Sequence, residues 1–235
     1  MFYIDWFYII LVLPFIVLSL VASARVNSSF KKYSEVFSKR GLTAHDAARR
    51  VLENNGVTDV KIERVQGHLT DHYDPRTNVI RLSENVHDSS SVAAIGVACH
   101  EAGHAIQHSV GYIPVKIRTA IVPVTNIGSK LSIPLIFIGI ALSYLGEVYS
   151  YMAYIGVALF GLCVVFQLVT LPVEFNASRR ALNALSSYRL LDQVELTGAK
   201  KVLSAAAMTY VAALAVSVMQ LLRLFLLVGG ARRRR

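Results

Sequence analysis

Between Val97 and Ile106 the chain reads Val-Ala-Cys-His-Glu-Ala-Gly-His-Ala-Ile, which sets His100, Glu101 and His104 in the order His-Glu-x-x-His. Histidines four apart on a helix project from one face, so both imidazoles can reach one metal ion. The glutamate beside the first can then hold a water against that ion. Imidazole nitrogens suit a borderline-soft cation, and zinc held this way lowers the pKa of its coordinated water to about 7, readying it as a nucleophile. Two packed histidines and a salt-bridging glutamate form the bland alternative, which accounts for the residue types but not for their spacing. His108 continues the four-residue row, a further turn along, from where it reaches the same ion poorly. Position 110, where a third histidine would continue the motif, is Val110. A catalytic zinc takes three protein ligands and keeps one position open, so the third ligand comes from elsewhere.

The acidic residues that follow the motif are Glu147, Glu174, Asp192 and Glu195, and choosing among them requires the elements that carry them. The chain has 235 residues, 54% apolar and only 17% charged, with a formal net charge of +9, which excludes an ordinary soluble globule and a disordered chain. All 24 Lys and Arg are absent from residues 1–24 and 131–178, where the longest apolar runs fall. Trp6 to Ala24 has roughly the 20 residues needed to cross a bilayer. It lacks a basic leader and follows Asp5, so it reads as an uncleaved anchor. Leu131–Leu145 and Tyr151–Leu171 form a second and a third span, joined by a tight hairpin over Gly146 to Ser150 and ringed by Tyr144, Tyr149, Tyr151 and Tyr154 as interfacial aromatics.

Basic residues flank these spans at Arg25 to Arg40, at Lys116 to Lys130 and at Arg179 to Lys201, so the positive-inside rule places all three groups in the cytoplasm. Glu147 then lies across the membrane from the motif, whereas Glu174 emerges on the same side. A carboxylate in Leu-Pro-Val-Glu-Phe is costly without a cation, and an ion pair with Arg179 or Arg180 is the competing explanation. Asp192 and Glu195 alternate with leucines on an amphipathic, solvated helix. Val202 to Val228 admits two courses: it crosses, carrying Arg232–Arg235 outside and burying Arg223, or it bends at Gln220/Arg223 and returns.

The organisation expected is therefore an α-helical integral membrane protein with a small α+β domain. An anchor covers 1–24, a cytoplasmic domain 25–118, a transmembrane hairpin 119–172, a cytoplasmic helix 173–201, and an apolar segment with a basic tail 202–235. Within the polar domain, Thr43 caps a helix through Asn55 and Gly56 stops it. Val57–Val65, His68–Tyr73 and Val79–Ser83 read as antiparallel strands, with a turn over Asp74–Asn78. Ser89, Ser90 or Ser91 caps the motif helix, which ends near Val110 at Gly111. Cys99 and Cys163 make no disulfide framework, which fits a reducing compartment.

Three stretches, Tyr73-Asp74-Pro75 with Val79-Ile80-Arg81-Leu82-Ser83, His100 to Gln107, and Pro172-Val-Glu174-Phe-Asn-Ala-Ser178, resemble the YugP-like neutral zinc metallopeptidases of bacterial membranes, over essentially the whole chain. The resemblance implies a zincin-like domain of gluzincin type, similar to HtpX and CAAX-type proteases. His100, His104 and Glu174 would hold one Zn2+ per chain, Glu101 would be the general base, and the active site would face the cytoplasm of a multi-pass cell-membrane protein. It further implies that a peptide or membrane-protein substrate lies along an edge strand, assigned to Val79, Ile80, Arg81, Leu82 and Ser83. The HtpX and CAAX-type relatives carry an Asp four residues after the ligand Glu; here that position is Ser178, with Asn176 nearby, so support of the ligand histidines is either weaker or built differently. Among Tyr188, Tyr210, Arg179 and Arg180, which follow Glu174, Arg180 and Tyr210 are the candidate transition-state stabilisers.

Two other classes compete. A metal-ion transporter would need ionisable residues in its spans, which carry almost none, and the apolar run before His100 is too short to cross. A catalytically silent membrane scaffold would have no use for Glu101. Nucleic acid is not an expected partner, because the basic residues cluster at span ends; anionic lipid suits the terminal arginines, and a membrane-protein complex partner is compatible.

Overall fold

The computed structural model describes residues 5–67 and 70–233, with side chains as far as Gly230. The chain folds into two compact units: one comprises Ala22–Lys116 with Pro172–Met208, and the other takes in the chain up to Val21, Ile117–Leu171 and the chain from Thr209.

In the first unit, α2 (Ala44–Asn54) starts where Thr43 Oγ1 accepts the Asp46 amide at 3.1 Å. Its Ala47, Ala48, Val51 and Leu52 are fully buried. Strands β1 (Lys61–Val65), β2 (His72–Asp74) and β3 (Val79–Ser83) follow, then one turn of helix, α3 (Glu84–His87), and the motif helix α4 (Val92–Ser109). Of the three serines expected to cap α4, Ser91 does so, its Oγ accepting the Ala94 amide at 3.2 Å. Beyond the helix end, Gly111 takes a φ of +64°, the left-handed conformation that glycine adopts without steric cost.

The sheet corrects the expected antiparallel order. β3 lies in the centre, parallel to β1 in the register Lys61↔Val79 and antiparallel to β2 in the register Tyr73↔Ile80. Residues 66–71 separate β1 from β2, and six residues of extended chain reach roughly 20 Å, enough to pass over a central strand and emerge on its far side. Ile80 and Leu82 are fully buried, as a central strand requires, while β1 is mostly exposed. Val79, Ile80, Arg81, Leu82 and Ser83 are therefore not an edge strand, since β1 pairs with all five on one side and β2 with Val79–Arg81 on the other; the open edges belong to β1 and β2. The start of the expected second strand, at His68, lies outside the described residues.

Among the described residues, four helices are long and apolar enough to cross a membrane: Tyr8–Ser34, Ile113–Ala141, Glu147–Ser187 and Gln193–Gly230. The first opens with a wider turn at Tyr8–Val12 and continues as α1 (Leu13–Ser34); the others are α5 (Ile113–Ala141), α6 (Glu147–Ser187) and α7 (Gln193–Arg233). The connection between α5 and α6 sits slightly earlier than expected, in a short 3-10 turn over Ser143–Leu145 followed by Gly146. There is no separate helix from 173: Glu174 rides on the same α6 that begins at Glu147. Nor does the last apolar stretch bend at Gln220/Arg223. No proline interrupts α7, and no glycine falls between Gly198 and Gly229.

In the apolar unit, α5 and α6 approach closely at glycines. A Cβ on Gly139 would fall 2.5 Å from the Ala153 nitrogen, and one on Gly156 2.7 Å from the Ser132 carbonyl oxygen, the small-residue contact that lets helices pack in lipid. Arg223, only 8% exposed, is met by Asp5: its Nη2 donates to Asp5 Oδ2 at 2.6 Å, and the Tyr8 amide donates to Asp5 Oδ1 at 2.7 Å. The side chains of the arginine tail, proposed for anionic lipid, lie outside the described residues.

Candidate metal centre

The helical period puts His100 and His104 on one face of α4, with ring centroids 4.7 Å apart and planes nearly perpendicular. Glu174 of α6 faces them, and its Oε2 lies 3.3 Å from His100 Nε2 and 3.5 Å from His104 Nε2. The three donor atoms fall within 4.8 Å of one another. A tetrahedral zinc with bonds of about 2.05 Å has ligand-to-ligand edges of about 3.3 Å. The donor set, two imidazole nitrogens and one carboxylate oxygen, thus fits zinc in both chemistry and spacing. Among the candidates left open by the sequence, Glu174 is the acidic residue that joins the histidines.

The α4 and α6 backbones must approach closely for this, and Gly103 permits it: a Cβ there would lie 2.6 Å from the Ala177 carbonyl oxygen. Glu101 is 8% exposed, and its Oε2 accepts the Tyr73 amide of β2 at 2.9 Å. That amide therefore points out of the sheet, and the outer edge of β2 faces the motif. His108 packs its ring on Tyr73, centroids 5.4 Å apart, instead of joining the donors.

Behind the histidines stand neutral groups. Ser178 Oγ lies 3.1 Å from His100 Nδ1, and Gln107 Oε1 lies 3.0 Å from His104 Nδ1. Gln107 Nε2 donates to the Val173 carbonyl at 2.8 Å and to Asn176 Oδ1 at 2.9 Å. Two carbonyl-type acceptors at Nε2 settle the orientation of the amide, so its oxygen can only accept from His104 Nδ1–H. His104 then presents a bare Nε2 lone pair toward Glu174, and the Ser178 hydroxyl can accept from His100 Nδ1–H to the same effect. Arg180 Nε donates to Asn176 Oδ1 at 2.8 Å, so Arg180 braces this network from behind. Burial opposes charge on His104, but the carboxylates of Glu174 and Glu101 and the Gln107 contact together hold its pKa above the ordinary histidine value. Burial pushes the Cys99 thiol far up, leaving it an inert core group.

Gln107 was missed as a working residue by sequence reasoning. Its signal was available: it follows His104 by three and so shares its face, as a polar side chain on a helix of alanines and aliphatics; the structure buries it fully. Tyr188 hydroxyl is engaged elsewhere, with Asn54 and Asn55, and Arg179 is exposed. Tyr210 belongs to the apolar unit instead of the one that holds the histidines. Asp192 and Glu195, read as solvated, form a capping box: Asp192 Oδ1 accepts the Glu195 amide at 2.8 Å while Glu195 Oε2 accepts the Asp192 amide at 2.8 Å.

Residues 8–229 match the family described as "Putative neutral zinc metallopeptidase". The chain belongs to that family. It is 47% identical over 216 residues to "Putative membrane protease YugP" of Bacillus subtilis (strain 168), covering 92% of this chain and 94% of that protein. No solved structure matches it.

Proposed function

We propose that the protein is a membrane-anchored zinc endopeptidase that hydrolyses peptide bonds at the cytoplasmic face of a bacterial cell membrane. The observation that carries this reading is the meeting of His100, His104 and Glu174 donor atoms within 4.8 Å, the two histidines standing on the helix that also presents Glu101. These three residues would hold one zinc, which when bound supplies Lewis-acid polarisation of a carbonyl and acidification of a water. Glu101, steadied through Oε2 by the Tyr73 amide, takes a proton from the attacking water and passes it to the leaving amine. Gln107 fixes His104 in the tautomer with Nε2 free to ligate, and Ser178 holds the His100 ring by its Nδ1. The substrate main chain lies extended along the outer edge of β2, beside Tyr73, in a β-augmentation mode.

The basic clusters at span ends support a cytoplasmic site. Asp5 stands before the first span and pairs with Arg223, which puts Arg223 at the level where the chain enters the bilayer and supports a full crossing by α7. Four crossings then leave both termini outside. The test is proteolysis by full-length protein in liposomes, against a soluble unfolded protein and a membrane-anchored peptide. Glu101→Gln should lower the rate at least about 100-fold; equal rates for the two forms would remove the protease reading.

A further inference from the structure

Where α1 leaves its apolar stretch and α7 enters its own, a recess of about 570 Å³ lies between the two helices. Ser29, Lys32 and Tyr33 line it from α1, and Lys200, Lys201 and Ser204 from α7, all within the unit that holds the metal centre. Gly198 lets the helices come together here: a Cβ on it would fall 2.7 Å from Tyr33 Cδ1, so the Tyr33 ring lies directly on the α7 backbone. The three lysines are exposed, and no acidic residue lines the recess. Among the described residues no carboxylate pairs with any of the three, whereas Asp192 holds Lys39 at 2.7 Å. The positive-inside rule accounts for lysines at the ends of spans. It does not require three of them, from two helices, to line one recess with the Ser29 and Ser204 hydroxyls beside them.

Charge and depth select the occupant. Three ammonium groups without a counter-charge call for an anion, and ammonium and hydroxyl donors suit the oxygens of a phosphate. Lys201 directly precedes the apolar stretch at Val202, and Ser29 stands five residues beyond Ala24, about 7 Å of helix. The head-group layer is roughly 5–7 Å thick on each side of the hydrocarbon, so Ser29, Lys201 and Ser204 stand at its level. Lys32 and Lys200 reach toward it along their alkyl stems. A lipid resident in that layer meets the recess at high local concentration, which a free phosphate does not. We propose that this recess binds the phosphate of an anionic phospholipid, gripped between α1 and α7 by Lys32, Lys200 and Lys201. The site is separate from the metal centre and does not depend on the proteolytic reading.

The test binds radiolabelled phosphatidylglycerol to delipidated full-length protein in neutral detergent and displaces it with unlabelled competitors. Phosphatidylglycerol should compete with a midpoint at least tenfold below that of phosphatidylcholine, whose choline cancels the charge of the same phosphate. A lysine at an anionic surface contributes about fivefold to binding, so Lys32→Gln, Lys200→Gln and Lys201→Gln combined should raise the phosphatidylglycerol midpoint at least tenfold. Arg25→Gln, Lys31→Gln and Lys130→Gln combined remove the same charge from span ends outside the recess, and should change it less than threefold. All six positions are exposed, so neither triple variant disturbs the core. Inorganic phosphate, at millimolar concentration and constant ionic strength, should leave the lipid bound. Equal midpoints for the two lipids, or equal losses in the two triple variants, overturn the site; displacement by inorganic phosphate overturns the lipid as the source of the anion.

Discussion

Replacing Gly103 by alanine tests how tightly the centre depends on the approach of α4 to α6. The added Cβ would lie 2.6 Å from the Ala177 carbonyl oxygen and 3.2 Å from Ala177 Cα. Backbone atoms cannot swing aside, and carbon-to-oxygen contacts relax only near about 3.3 Å, so the helices must part by roughly 0.7 Å. Ala177 sits one turn beyond Glu174 and directly before Ser178, so the movement reaches both. Glu174 stands 3.3 Å and 3.5 Å from the histidine nitrogens, and a zinc site tolerates about 0.2 Å of error in its distances. Zinc affinity should fall at least about tenfold, comparable to loss of a ligand's supporting contact. Stability is a closer contest: overpacking costs about 1–3 kcal/mol, and replacing a mid-helix glycine returns about 1 kcal/mol. Gly96→Ala is the control, because its Cβ would meet the Ala199 Cβ at an ordinary 3.4 Å; it should keep wild-type affinity. Competition with a chromophoric chelator measures both. Wild-type affinity in a folded Gly103→Ala protein would refute the reasoning.

Gln107→Met, which fills similar space with no hydrogen bonds, should weaken zinc binding about 10- to 100-fold, while Gln107→Glu, which keeps an acceptor for His104 but not the donor to Val173, should lie between it and the wild type in the same chelator competition. Asp192 is held below the ordinary carboxylate range by the Glu195 amide first and by Lys39 second. A lowered pKa contributes stability above the unfolded value near 4 that is lost as pH falls through the lower, folded value. Asp192→Asn, which retains a capping side chain, should therefore melt below the wild type at pH 7, and the gap should narrow as the pH falls through the lowered, folded value. Removing zinc with a strong chelator should abolish proteolysis, and added zinc should restore it in the wild type but not in His100→Ala or His104→Ala, followed by peptide cleavage.

The part of the site carried by local periodicity was legible in the sequence. His100, Glu101 and His104 needed only the helical repeat, and Thr43 and the run Ser89–Ser91 announced their helices by the capping chemistry of their hydroxyls, with the structure choosing Ser91. Glu174 could be chosen because charge-poor windows set which acidic residues share a side with the motif. What was not legible depended on contacts between distant segments. The central position of β3 is set by its pairing with β1 on one side and β2 on the other, which strand patterning does not encode, so the substrate edge was assigned to Val79–Ser83 instead of β2. The course of α7 was undecided because Arg223 looked unaffordable in an apolar run; its partner Asp5 stands 218 residues away, at the other end of the chain.

The most direct test of the metal centre is the zinc content of full-length protein purified in detergent, wild type beside Glu174→Ala, each equilibrated against a zinc buffer of fixed free concentration. The wild type should hold one zinc per chain and Glu174→Ala should hold it at least about tenfold more weakly. Equal retention by a folded Glu174→Ala protein would contradict the assignment of the centre.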